Sequence, residues 1–68
     1  MVEPGVYFLS GFVASHNQYF EGTYTVTSPS LSADEFFAAI QSTTKKALED
    51  GGVKDPAFSF ICINRIAS

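Results

Sequence analysis

The chain has 68 residues, 46% of them hydrophobic, with three Tyr and seven Phe, four basic and seven acidic side chains, and a net charge of −3. That length makes one domain, residues 1–68, and a domain so small buries only about 60% of the surface its unfolded chain exposes. Disulfides, a metal or self-association are the usual remedies; the single cysteine, Cys62, excludes an internal disulfide, and the single histidine, His16, leaves no zinc-ligand spacing.

The cations Lys45, Lys46, Lys54 and Arg65 are few and scattered, which speaks against nucleic acid, since phosphate binding depends on clustered Lys and Arg. No stretch approaches the roughly 20 apolar residues of a membrane span. The opening MVEPG lacks the basic and apolar regions of a signal peptide, so a cytoplasmic protein is expected.

Pro4 and Gly5 close a short lead-in. Val6–Ser15, VYFLSGFVAS, is β-branched and aromatic without charge and predicts strand β1. Both its rows are apolar: Val6, Phe8, Phe12 and Ala14 on one side, Tyr7, Leu9 and Val13 on the other. Tyr19–Ser28, YFEGTYTVTS, predicts strand β2, with Phe20, Tyr24 and Val26 on one face and Glu21, Thr23, Thr25 and Thr27 on the other. The polar link between them makes a hairpin. A two- or four-residue loop sets Leu9 beside Tyr24 and Val13 beside Phe20; a three-residue loop sets Phe8 beside Val26 and exchanges the faces of β1.

A helix, α1, is predicted over Ala33–Asp50. Ser32 is its N-cap, Glu35 completes a capping box, and Leu31 with Phe36 has the spacing of a hydrophobic staple. Asp34 and Glu35 suit the positive end of the helix dipole. Phe36, Phe37, Ile40, Thr44, Ala47 and Leu48 form the apolar stripe, and Gly51 with Gly52 supplies a left-handed stop. Strand β3 is predicted over Ala57–Ile66.

The order β-β-α-β predicts an α+β fold: a two-layer, three-stranded, mainly antiparallel sheet of order 2-1-3 with one helix packed on one face. One helix covers only one face of such a sheet. The other is expected to show a row from β1, either Tyr7, Leu9 and Val13 or Val6, Phe8 and Phe12, beside Phe58 and Phe60 or Ile61 and Ile63 of β3. Only Pro56 and Arg65 defend the β3 edge against pairing. The residues expected to meet another protein are therefore Tyr7, Leu9, Val13, Phe58, Phe60, Ile61, Ile63 and Arg65.

No arrangement of residues suggests catalysis. His16 lies in the hairpin turn with only Asn17 and Gln18 beside it. Asp34, Glu35, Glu49 and Asp50 are explained by helix ends, Glu21 by a solvated edge, and Cys62 by burial as a small hydrophobe. No G-x-S-x-G elbow, P-loop or G-x-G-x-x-G occurs. No catalytic, metal-binding or cofactor-binding residue is assigned.

The stretch YTVTSPSLSADEFFAAI resembles the strand-into-helix passage of the dodecin flavoproteins, small oligomers of order β-α-β-β. Here a hairpin precedes the helix, and without tryptophan the family's flavin-stacking residue has no counterpart. No site is carried over.

The expected function is a small non-enzymatic protein-binding module that is homodimeric or binds another protein. It docks through the uncovered apolar sheet face or the C-terminal edge strand. Size and composition are those common among phage and prophage accessory proteins that inhibit host machinery. The alternative is a small-ligand-binding oligomer with an aromatic pocket between protomers.

Overall fold

The computed structural model describes residues 1–68. The elements are β1 (Gly5–Val13), a one-turn 3₁₀ segment (Ala14–His16), β2 (Gln18–Val26), α1 (Ala33–Asp50) and β3 (Phe58–Ala67). They form an antiparallel sheet of order β2-β1-β3 with one helix, the predicted α+β fold.

The helix begins where its cap chemistry places it. The Glu35 backbone N–H donates to Ser32 Oγ, and the Ser32 N–H donates to Glu35 Oε1, each at 3.1 Å. These bonds satisfy donors that a helix start otherwise leaves open. The Ser32 backbone N–H first, and the Ser32 hydroxyl second, hold the Glu35 carboxyl below its ordinary pKa. At the other end, Gly52 rather than Gly51 takes the left-handed conformation, with φ +97°.

One layer of contacts joins helix to sheet. Tyr7, Leu9, Val26, Phe36 and Ile40 form the core cluster, and Ile40 is fully buried. The Tyr7 and Phe36 rings lie 4.9 Å apart, centre to centre, and the Tyr7 hydroxyl donates to Glu3 O at 2.7 Å. Of the expected helical stripe, Phe36 and Ile40 are buried and Thr44 and Leu48 half-buried, whereas Phe37 and Ala47 are exposed. Only 8 of 68 residues are buried, and the accessible surface is 4541 Å², above the roughly 4,200 Å² expected of a monomer of this mass.

The hairpin loop has four residues, Ala14 to Asn17, with Asn17 left-handed at φ 49°. Its parity puts the Tyr7, Leu9 and Val13 row of β1 on the helix side. The register is two residues from the expected one: Leu9 stands opposite Gly22, and Phe20 opposite Gly11. The glycine explains the shift. A Cβ on Gly11 would collide with Ser59 O and the Phe20 ring. Without it, that ring crosses β1 to meet Phe58 and Phe60 of β3, each at 5.9 Å between ring centres.

β3 departs most from a regular strand. Its register against β1 shifts between Ser10 and Gly11 and again between Val6 and Tyr7, leaving Ile61 and Ile66 as extra residues. Each bulge reverses the alternation of the residues beyond it. Phe58 and Phe60 stand opposite Val13 and Gly11, and Ile63 and Arg65 opposite Leu9 and Tyr7, all on the helix side. Ser59, Cys62, Asn64 and Ala67 pair with Phe12, Ser10, Phe8 and Val6 on the open side.

Candidate functional site

The face of the sheet away from the helix is built on the even-numbered row of β1: Val6, Phe8, Ser10 and Phe12. Each is half-buried by its strand neighbours alone. Tyr19 of β2 stands opposite Phe12. Their rings meet edge-on at 5.0 Å, and Tyr19 remains 75% exposed. Glu21, Thr23 and Thr25 flank this stripe on β2, and Ser59, Cys62, Asn64 and Ala67 flank it on β3, all exposed. A central apolar stripe within a polar rim is the anatomy of a protein interface.

The expected contact residues divide differently. Tyr7, Leu9 and Val13 are buried on the helix side, Tyr7 and Leu9 in one cluster with Phe36 and Ile40, and leave the open face to the other row, Val6, Phe8 and Phe12. Phe58 and Phe60 turn to the helix side and pack with Phe20. Ile63 shares that side but stays 39% exposed, and Ile61, displaced by the bulge, is 62% exposed. Arg65 is engaged within the chain: its Nε and Nη2 donate to Pro4 O at 3.1 and 2.9 Å, and Nη1 lies 3.5 Å from a Glu3 carboxylate oxygen. It clasps the N-terminal lead-in to the sheet. Cys62 is exposed rather than buried, because the first bulge turns it outward. The β3 edge is also better defended than Pro56 and Arg65 alone suggest, since two bulges interrupt it.

In the sequence, Val6, Phe8 and Phe12 form one of two candidate rows. The signal separating the rows was Gly11, the inward position at which an aromatic ring crosses. Nothing in the sequence marked the bulges.

A groove of about 240 Å³ runs between β2 and the second half of the helix, lined by Leu9, Phe20, Gly22, Tyr24, Thr44 and Leu48 among others. It arises because Gly22 has no side chain and an added Cβ there would meet nothing within 4 Å. It falls below the roughly 300 Å³ at which ligand pockets usually begin. His16 is exposed, with Nδ1 3.0 Å from the Ser15 hydroxyl, and touches no carboxylate that could orient it as a base. No three His, Cys, Asp or Glu side chains stand together as a metal site would need, and no helix is long and apolar enough to cross a membrane.

Compared with family models, curated proteins and solved structures, the chain has no significant match.

Proposed function

We propose that the chain is a small protein-binding module, acting without catalysis, that docks through its uncovered sheet face. The observation that carries this is the row Val6, Phe8 and Phe12 with Tyr19 beside Phe12, on the side of the sheet that no element of the chain covers. Contiguous apolar surface on a small monomer is rarely left without a use. Aromatic side chains in the middle of such a patch are the groups that carry most binding energy. The thin core points the same way, because covering this face would supply burial that the chain does not obtain alone. An accessory or inhibitory role of the phage type fits the size and acidity and rests on those alone.

The test compares capture by the wild-type chain with capture by Phe8→Lys and Phe12→Lys, using extract of the native host. The same protein should be retained by the wild type and by a Lys54→Glu control, and lost by both face variants while their melting curves keep the wild-type shape. Equal retention by all four chains would contradict the proposal. The groove at Gly22, with the Phe20 and Tyr24 rings beside it, favours a second reading, a small aromatic ligand held where protomers meet. An absorbing compound that co-purifies with the chain and is displaced by filling Gly22 would move the assignment there.

A further inference from the structure

The two edges of the sheet differ in their fitness for another strand. β3 carries bulges at Ile61 and Ile66, a device by which sheets discourage edge pairing. β2 carries none: its nine residues run opposite Gly5–Val13 without a register shift. Its sequence, QYFEGTYTV, has no proline or lysine and consists largely of Thr, Tyr, Phe and Val, the residues that favour strands. Glu21 is its single charge.

Alternation along the strands identifies which backbone groups are free. The Ala14 N–H donates to Ala57 O at 2.8 Å. The even-numbered residues of β1 therefore direct their backbone groups toward β3, and the odd-numbered ones toward β2. The β2 residues opposite the even set are Tyr19, Glu21, Thr23 and Thr25. Their N–H and C=O groups point away from the sheet, in a row that no other strand meets.

We propose that two copies of this chain join antiparallel through β2, about a two-fold axis at Gly22. Gly22 is the middle residue of the strand, so this register uses its whole length. Tyr19 then pairs with the partner's Thr25, and Glu21 with the partner's Thr23, each through outward backbone groups. Sliding two residues toward the N-terminus would set Glu21 against the partner's Glu21, a like-charge pair that cross-strand neighbours avoid. On the helix side, Phe20 meets the partner's Tyr24, and the paired glycines leave room for these rings to lie across the axis. The groove bordered by Phe20, Gly22 and Tyr24 is completed by the second copy. The six-stranded sheet runs β3-β1-β2-β2-β1-β3, and the two open faces become one surface. The pairing stands whether or not that surface binds another protein.

Sedimentation velocity of the purified chain at tens of micromolar tests this, with a dimer expected. Thr23→Pro removes an outward N–H and no bond to β1, a change edge strands tolerate. It should give a monomer with unchanged far-UV circular dichroism. Thr23→Lys sets a cation opposite the partner's Glu21 and should tighten the dimer. Thr23→Glu should loosen it, the two differing in dissociation constant on the order of tenfold or more. If the proline variant fails to fold, this opposed pair decides. In a Cys62→Ser chain, Gly22→Cys should form a disulfide-linked dimer under mild oxidation, since the two thiols would face each other across the axis. A monomeric wild type would overturn the proposal. So would a dimer indifferent to charge at Thr23, which leaves capture of a host protein by the open face untouched, or one dissolved by Phe8→Lys, which would place the self-contact on the open face instead.

Discussion

The two rows of β1 have nearly the same composition and opposite fates. Tyr7, Leu9 and Val13 lie on the helix side at 9%, 5% and 3% exposure. Val6, Phe8 and Phe12 lie one residue away in each case and meet no second layer. Hydrophobicity does not separate them. The difference comes from Gly11, which admits Phe20 to the inner side, and from a hairpin of four loop residues that sets the parity. A two-layer fold with a doubly apolar central strand has one core row and one row that no layer of its own covers.

Substitutions sharpen this contrast by asking which row stability depends on. The largest effect is expected at Ile40, the fully buried contact of the inner face. Ile40→Ala should cost about 2–5 kcal/mol, enough to unfold much of a domain whose whole stability is of the order of 5 kcal/mol; urea titration reads it directly. Next comes Gly11→Ala, which adds a methyl where Phe20 and Ser59 leave no room. Overpacking of this kind costs about 1–3 kcal/mol, and the aromatic proton shifts of Phe20, Phe58 and Phe60 should move with it. Stability unchanged by Gly11→Ala would mean that the ring does not cross there.

Ser32→Ala removes the helix cap and should cost about 1 kcal/mol, seen as a lower denaturation midpoint at unchanged slope. The outer row contrasts with these. Phe8→Lys in the isolated chain should cost no more than about 1 kcal/mol, the span of strand preference itself, while abolishing partner capture. A loss matching that of Ile40→Ala would erase the distinction between the faces. The smallest effect is that of pH on the cap. Glu35 titrates lower in the folded chain than in the unfolded one, so its contribution is present above its unfolded pKa and fades as pH falls through the folded value. Glu35→Gln should flatten the acid limb of a stability-against-pH curve slightly, and an unaltered limb would remove the capping box as its source.

The helix was legible to the residue, Ala33–Asp50, because capping depends on local spacing: Ser32, Glu35, and glycines after Asp50. The strand order was legible as well, since β1 is apolar on both sides and carries no charge, as a central strand should. Less of the candidate site could be read. Phe58, Phe60, Ile61 and Ile63 looked like two alternating rows. An extra residue in a strand is fixed by its partner across the sheet, here Gly11 and the Phe20 ring over it, and leaves no periodic trace of its own. For the same reason Cys62 read as core and stands on the surface, and Arg65 read as an edge marker and clasps Pro4.

Cys62 supplies the most direct measurement, since it sits on the open face beside Ser10 and its thiol is exposed. Its rate of modification by a thiol reagent reports whether that face is covered. A docking role for the face predicts fast modification in the dilute purified chain, protection in extract of the native host, and loss of that protection in Phe8→Lys. The same fast rate in both settings would contradict the claim that the open face is a docking surface.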